Sequence, residues 1–226
     1  MEFLGQIFKG FAEIIHLKLA LLDTDRYLRI VRDPENTRKR ILKSASILFN
    51  TKGYKATSIS DITSAAGITK GAIYKHFKDK FHLEKASLQS MTGKVLTALT
   101  LKIKEAKDAK SKLWSILDYF ADYGQRPPFK GGCPLLNAAV EVDDSDPELK
   151  AVVSHIILSI QSGIAKVIQN GIDRNQLRND IDVEEYATII YSSIEGGIMM
   201  MKVTDNDHHL LSVINFLKRD IESKTI

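Results

Sequence analysis

The fold is decided by one stretch, residues 57–83, which reads TSISDITSAAGITKGAIYKHFKDKFHL. Thr57 or Ser58 can start a short helix whose apolar positions recur at helical spacing, and Gly67 ends it. Thr69 can cap a second short helix immediately afterwards. Two short helices joined by a turn that contains glycine predict a helix-turn-helix.

The sequence on either side of this stretch also predicts helices. Asp79 can cap a long helix that runs to about residue 107, and Asn36 or Thr37 can cap an earlier one that ends near Lys52. Further helices are predicted at about 109–123, 133–142, 147–171, 182–203 and 207–223. Because no convincing alternation of apolar and polar residues occurs, the predicted fold class is all-α.

The composition is that of a globular chain. Of its 226 residues, 44% are hydrophobic and 27% are charged, which excludes a mainly disordered protein. Cys133 is the only cysteine, so an internal disulfide is impossible and a reducing, cytoplasmic location is expected. No run approaches the roughly 18 uninterrupted apolar residues of a membrane span.

Charge is distributed unevenly along the chain. Residues 30–85 carry 12 basic and 5 acidic side chains, a net charge of +7, whereas residues 86–226 carry 16 and 19, a net charge of −3. A basic segment joined to a mildly acidic body indicates a polyanionic partner for the basic segment alone.

The second short helix has the side chains that a helix needs in a DNA major groove. Thr69-Lys70-Gly71-Ala72 offers a hydroxyl, a long cation and two minimal side chains that let the backbone come close. One turn later come three groups able to reach phosphates or base edges: Tyr74, Lys75 and His76. Ile73 and Phe77 lie on the opposite side and should anchor the helix in the core.

Lys80 adds to this pattern. It lies in the first turn of the long helix, where the helix dipole disfavours a cation. A phosphate bound at that terminus would reverse the effect, because backbone N–H groups and the lysine would share one anion. A solvated lysine tolerated at small cost is the alternative, and the neighbouring basic residues favour the phosphate.

Residues 37–83 resemble the DNA-binding domain of the TetR/AcrR family of bacterial transcriptional regulators. The resemblance rests on Ile41-Leu42, Ala45, Leu48-Phe49, Gly53-Tyr54, Thr57-Ser58-Ile59, Ile62, the run from Ala65 to Phe77, Lys80 and Leu83. It covers about a fifth of the chain. In one respect the sequence departs from the family, which often has acidic residues just after the lysine, where Phe81 and His82 stand here.

The resemblance implies which residues contact DNA. Those matching Thr69, Lys70 and Gly71 are expected near bases or phosphates, and those matching Tyr74, His76 and Lys80 at the DNA backbone. The full candidate set is Thr57, Ser58, Thr69, Lys70, Gly71, Tyr74, Lys75, His76 and Lys80.

Three regions are predicted: an N-terminal amphipathic extension (1–32), a helix-turn-helix domain (33–83) and a helical ligand-binding and dimerisation domain (84–226). The last is implied by the resemblance, and two wide apolar stripes at 147–172 and 186–201 favour a homodimer independently. Candidate interface residues are Ile156, Ile160, Ile164, Ile190, Ile194, Gly197 and Ile198. The same stripes would also serve as one protomer's core.

A small-molecule pocket is predicted in the third region, around an aromatic cluster at helical spacing. Its candidate residues are Met91, Trp114, Leu117, Phe120, Tyr123, Cys133 and Tyr191. Such a cluster is also typical of a core. Cys133 is either a redox or electrophile sensor or a small buried hydrophobe.

The N-terminal extension predicts an amphipathic helix over residues 3–22. Docking on the protein's own body or on a partner subunit is favoured over the membrane surface, because surface-binding helices are usually basic, whereas residues 1–29 carry four basic and four acidic side chains. A membrane-surface or partner-binding adaptor is the alternative function.

No catalytic motif, metal site or cofactor site is predicted, since GxSxG, Walker A and HExxH are all absent. The sequence therefore predicts a cytoplasmic, homodimeric transcriptional regulator and not an enzyme. It would repress by binding a palindromic double-stranded DNA operator and would be released by a small-molecule effector.

Overall fold

A computed structural model describes residues 33–142 and 146–226, and these residues form α-helices with one isolated β-bridge. The first four helices are α1 (Pro34–Lys52), α2 (Ile59–Ala66), α3 (Lys70–His76) and α4 (Lys80–Glu105). The other five are α5 (Ala109–Ala121), α6 (Pro134–Val142), α7 (Pro147–Asp173), α8 (Val183–Thr204) and α9 (His208–Ser223). The all-α prediction is confirmed.

The predicted caps account for where the short helices begin and end. Ser58 accepts a hydrogen bond from the backbone N–H of Asp61 and forms a capping box with it. Thr69 caps α3 and Asp79 caps α4 in the same manner. Gly67 ends α2 in the left-handed conformation at φ 61°.

Leu42–Ile226 forms one compact unit. Within it α5 packs against α4, α7 and α9, while α8 packs against α7 and α9. Its core includes Phe49, Leu83, Leu117, Ile168 and Ile194, each without measurable exposure. In chain order, α2, α3 and the start of α4 therefore come first, and the longer helices that pack against one another follow them.

Part of the predicted organisation lies outside the described residues. The amphipathic helix at 3–22, and the extension 1–32 as a whole, are in this category. The domain boundary between residues 83 and 84 falls inside α4, so the helix continues through it.

Candidate functional site

One side of α3 is buried and the other is open to solvent. Ile73 is fully buried and Phe77 is 4% exposed, as the sequence predicts, so the rotation of the helix is fixed. The open side, here named the contact face, consists of Thr69, Lys70, Gly71, Tyr74 and Lys75. His76 lies at its edge and is half-buried.

Gly71 is not needed by the protein's own packing. A Cβ atom built there would meet only the Thr69 hydroxyl, at 3.9 Å, and the backbone is not in the left-handed region. Glycine costs helix stability, and no contact within the described part of the chain requires it at this position. The contact face therefore leaves the backbone at Gly71 open to close approach.

The predicted contact by Thr57 is contradicted by its surroundings. Thr57 is 1% exposed, and its hydroxyl donates a 2.6 Å hydrogen bond to the carbonyl of Gly53. Ser58 is exposed, but its hydroxyl is held by Asp61 in the capping box. Thr57 is thus a structural residue of the turn before α2.

Lys80 has internal partners that the sequence did not suggest. Its Nζ donates to the carbonyl of Tyr54 at 2.6 Å and lies 3.1 Å from Oε1 of Glu84. Glu84 is 6% exposed, and burial raises the pKa of its carboxyl, while Lys80 opposes that rise. The ammonium therefore stabilises a buried acid.

An apolar cavity of about 570 Å³ lies among α4, α5, α7, α8 and the start of α6. It is lined by four of the predicted pocket residues: Phe120, Tyr123, Cys133 and Tyr191. Pockets of this size and polarity accommodate drug-sized ligands. The sequence thus identified part of the wall of a ligand-sized cavity.

Three other predicted pocket residues do not line it. Met91 and Leu117 are core residues, 2% and 0% exposed. Trp114 lies on a different side of α5, where the ammonium groups of Lys110 and Lys218 lie 5.5 and 5.2 Å from the centre of its ring. These three residues therefore do not line this cavity, because helical spacing alone does not show which side of a helix faces it.

Glu195 lines the cavity and was missed. Cys133 donates its thiol hydrogen to Oε1 of Glu195 at 3.2 Å, whereas Oε2 is buried without a hydrogen-bond partner among the described residues. Burial raises the pKa of this carboxyl. Its position on α8, one turn after Tyr191, is the signal that sequence reasoning could have used.

Cys133 is a poor sensor by its environment. It is 7% exposed, and burial together with the neighbouring carboxyl of Glu195 raises the pKa of its thiol well above the usual range. Because the thiolate is the reactive form, this thiol is held in its inert state. The geometry therefore favours the interpretation of Cys133 as a small buried hydrophobe over that of a redox or electrophile sensor.

A cluster of hydrogen bonds joins the end of α1 to residues 130–137, the segment that also contributes Cys133, Pro134 and Leu135 to the cavity wall. It consists of Asn50, Asn137 and the loop Lys130-Gly131-Gly132, and is named the Asn50 cluster. The side-chain amide of Asn50 donates to the carbonyls of Lys130 and Gly132 at 2.9 and 3.1 Å. Asn137 donates to the carbonyls of Asn50 and Gly131 and to Oδ1 of Asn50, at 3.0–3.2 Å.

Gly131 shows how tightly this cluster is built. Its φ is +107°, and an added Cβ would lie 2.2 Å from the carbonyl oxygen of Asn50. On the same helix as Asn137, the carboxylate of Glu141 accepts hydrogen bonds from the backbone N–H groups of Tyr54 and Lys55, both at 3.1 Å. The start of α6 lines the cavity, so one short helix touches both the turn before α2 and the cavity wall.

The predicted interface residues are mostly part of the protomer's own core. Ile164, Ile190, Ile194, Gly197 and Ile198 are buried within the single chain, and Ile160 lines the cavity. Ile156 is half-buried. The stripe of α8 therefore serves the core first, and the assignment of the five buried residues to an interface is corrected. For Ile156 and Ile160, on the half-buried stripe of α7, the interface stays a prediction.

Six of the thirteen large apolar side chains that are exposed within the described residues lie on α8 and α9. They are Ile189, Met199, Met200, Val203, Leu211 and Phe216. Ile189, Gly196, Met200 and Val203 are spaced by seven, four and three residues, which places them along one stripe of α8. A Cβ at Gly196 would meet nothing within 4 Å, so another backbone has room to approach the helix.

One described helix, Pro147–Asp173, is long and apolar enough to cross a membrane by length and composition alone. Core helices of soluble proteins pass the same test, and this one packs against α5, α6 and α8. Within the described ranges, no three His, Cys, Asp or Glu side chains form a group able to hold a metal ion.

Comparison with known proteins agrees with this architecture. The family described as bacterial regulatory proteins, tetR family, matches residues 41–86, and the tetracyclin repressor-like C-terminal domain matches residues 109–217. A TetR transcriptional regulator from Chloroflexus aurantiacus is 34% identical, with a TM-score of 0.81 over 86% of this chain and 98% of its own. One from Cytophaga hutchinsonii is 32% identical, with a TM-score of 0.78 over 85% and 96%.

A probable HTH-type transcriptional regulator, ArpR, from Pseudomonas putida is 27% identical over 75% of this chain and 82% of its own length. The helix-turn-helix, its exposed basic face and the helical body define a DNA-binding transcriptional regulator. The chain belongs to the TetR family.

Proposed function

We propose that this TetR-family protein is a repressor that binds a palindromic operator as a homodimer and is released by a small molecule in the apolar cavity. The observation that carries the proposal is the contact face of α3, which combines exposed cations and an exposed hydroxyl with a glycine that only an outside partner requires. The match to a tetracyclin repressor-like domain supports the regulatory role of the helical body.

The proposed DNA contacts are Thr69, Lys70, Gly71, Tyr74 and Lys75, with Ser58, His76 and Lys80 at the edges. Lys70 and Gly71 lie at the start of α3, the end of such a helix that reaches base edges in a major groove. Tyr74 and Lys75 lie one turn further on and suit phosphate contacts. Thr57 is not included, since it is buried.

The proposed dimer interface is the exposed stripe of α8 together with the exposed apolar residues of α9. A stripe spaced by seven, four and three residues suits packing against another helix, and a four-helix bundle would cover it. Two chains related by a twofold axis would present two α3 helices to half-sites about one helical turn apart.

The Asn50 cluster and Glu141 support a route from the cavity to the DNA-binding helices. A ligand that displaces Cys133 or Leu135 moves the start of α6, and α6 carries both Asn137 and Glu141. Since these side chains hold the end of α1 and the turn before α2, the movement changes the position of α3. This route acts beside α4, which runs without a break from Lys80 to the residues that line the cavity.

The proposal places the protein in the cytoplasm, where its DNA is, and assigns it no catalytic activity. An adaptor that uses the N-terminal extension is not favoured, because the family matches cover the DNA-binding and regulatory parts of the chain.

Selection of bound sequences from a random duplex library, with the full chain, tests the proposal. We expect a palindromic consensus and binding that weakens steeply with salt. Enrichment of no consensus, or of a single unrepeated half-site, would contradict it.

A further inference from the structure

The cavity wall is apolar except for a few groups, and one of them is an acid set deep in the wall. Glu195 lies among residues such as Leu99, Ile116 and Ile194. Its Oε1 accepts from Cys133, and Oε2 has no further donor at hydrogen-bond geometry within the described part of the chain, although the nearby phenol of Tyr191 also helps to lower the pKa of this carboxyl. A carboxylate in such a place is costly unless a cation or further donors reach it.

The protein does not itself supply that cation. The charged and titratable groups that face the cavity are Lys104 from α4, Lys166 from α7, Cys133, Tyr123 and Tyr191. Both lysines are exposed, and neither forms an ion pair with Glu195 among the described residues. The remaining three are a thiol and two phenols, which stay neutral because burial raises the pKa of each.

Aromatic rings surround the same space. Phe120, Tyr123 and Tyr191 line the cavity, and the rings of Phe120 and Tyr123 lie 5.6 Å apart. The face of an aromatic ring attracts a cation, most strongly where water is excluded. Two independent features, an acid without a counter-ion and a set of aromatic rings, thus favour the same kind of guest.

We propose that the effector is an apolar molecule with one protonated amine, which binds in the cavity and pairs with the carboxylate of Glu195. The inference rests on the proposed role of this cavity as the effector site. The apolar body fills the space of about 570 Å³, and the amine supplies the positive charge that Glu195 lacks among the described residues. A compound with an acid group finds only the exposed lysines and would leave Glu195 unpaired.

The test uses three probes with one alkyl chain and different heads: nonylamine, nonanol and nonanoate. Binding to the full-length protein is measured by isothermal titration calorimetry below the concentration at which the probes aggregate. We expect nonylamine to bind about tenfold or more tighter than nonanol, an amount equal to about 1.4 kcal/mol. Nonanoate should bind most weakly.

Variants identify the residue responsible. In Glu195→Gln, the advantage of nonylamine over nonanol should disappear, while nonanol binding stays within about twofold. Glu184→Gln is the matched control: it makes the same change at an exposed position of α8 and should leave all three affinities unaltered. A melting curve for each variant establishes that it is folded.

Three results would overturn the proposal: tightest binding of nonanoate, an unchanged preference for nonylamine in Glu195→Gln, or no measurable binding of nonylamine by a protein that still binds its operator. The proposed function fails separately. If nonylamine binds through Glu195 but operator affinity is the same with and without it, the ligand chemistry stands and the release mechanism falls.

Discussion

Gly71 is a position where helix stability favours alanine, whereas the proposed DNA contact favours glycine. It occupies the second position of α3, where a Cβ atom meets only open space beyond Thr69. Alanine forms helices better than glycine by up to about 1 kcal/mol. A residue that lowers stability without a packing reason indicates a function that needs it.

Gly71→Ala should therefore raise the free energy of unfolding by about 0.5 kcal/mol and weaken operator binding. Denaturant unfolding and fluorescence anisotropy with labelled operator measure the two effects on one preparation. Ala65→Gly, an exposed position in α2, provides the reverse change away from the contact face. Operator binding that is unaffected by Gly71→Ala would show that α3 does not approach the DNA closely.

The two lysines of the contact face should differ in what they recognise. Lys70→Ala should alter sequence preference by about 1–3 kcal/mol at one base pair if it contacts a base edge. Lys75→Ala should weaken all duplexes alike and flatten the salt dependence by about one unit, as the loss of a phosphate contact does.

Titrations against the operator and a scrambled duplex, at several salt concentrations, measure both effects. An equal loss on both duplexes for Lys70→Ala would exclude the base contact. Lys80→Ala is a poor probe of either, since it also removes the partner of buried Glu84.

Glu195 should make the stability of the empty protein depend on pH. Burial raises the pKa of its carboxyl in the folded state, so its contribution to stability is full below the unfolded pKa and is lost as pH rises through the folded pKa. Each unit of difference corresponds to about 1.4 kcal/mol.

Relative to the original protein, Glu195→Gln should become progressively more stable from mildly acidic to neutral pH. Urea unfolding across that range measures the difference in free energy of unfolding between the two proteins. The amide itself changes this difference by the same amount at every pH, so the slope of the difference against pH reports the carboxyl alone. Glu184→Gln, a change at an exposed position of the same helix, should not reproduce this rise in stability. If the difference in free energy of unfolding between Glu195→Gln and the original protein did not change with pH, burial would not raise the pKa of this carboxyl in the folded state.

At the scale of the helices, the exposed side of the short helix α3 could be predicted from the sequence, whereas the exposed sides of the long apolar helices could not. Ile73 and Phe77 leave α3 only one way to lie on the core, so its exposed face follows from the sequence. The positions of Ser58, Thr69 and Asp79 likewise fixed the helix starts, because each can satisfy a free backbone N–H group.

The long helices α7 and α8 are apolar around much of their circumference. For such a helix the sequence does not decide which residues face the core, a cavity or another subunit, because all three surfaces prefer the same side chains. Ile190 and Ile189 are neighbours, yet the first is buried and the second exposed. For the same reason, the sequence analysis assigned Trp114 to the cavity wall, which it does not line, and did not assign Glu195, which does line it.

Helix α6 gives the Asn50 cluster its proposed role in coupling, and Asn137 is the residue to change. Asn137→Ala removes three hydrogen bonds while leaving those that Asn50 donates to the loop. Stability should fall by about 1–3 kcal/mol. Effector and operator should each still bind, but the effector should weaken operator binding much less than in the original protein.

Operator affinity measured with and without a bound effector gives the coupling directly, and a hundredfold effect corresponds to about 2.7 kcal/mol. Asn215→Ala, an exposed asparagine on α9, is the matched control. Undiminished coupling in Asn137→Ala would leave α4 as the sole route between the two sites.

At the scale of the whole molecule, the exposed stripe of α8 predicts the oligomeric state. Met200→Glu introduces a charge at the middle of the stripe, where two chains would bury it without a partner. Sedimentation should show a dimer for the original protein and a monomer for the variant, with much weaker binding to the palindromic operator.

Leu101→Glu makes the same change on the outer side of α4, where the leucine is 60% exposed, and should leave the dimer intact. A monomeric original protein at micromolar concentration, or a dimer that survives Met200→Glu, would contradict this interface.

The Asn50 cluster is built from amides and carbonyls and contains no ionised side chain except that of Lys130, whose backbone alone takes part. Hydrogen bonds between neutral groups are little affected by ionic strength, whereas contacts to phosphates weaken steeply as salt rises. When osmotic stress concentrates the ions inside a bacterium, occupancy of the operator should fall at every effector level. The part of the effector coupling that passes through the Asn50 cluster should stay the same, so salt lowers operator occupancy without weakening this link between the effector site and the DNA-binding helices.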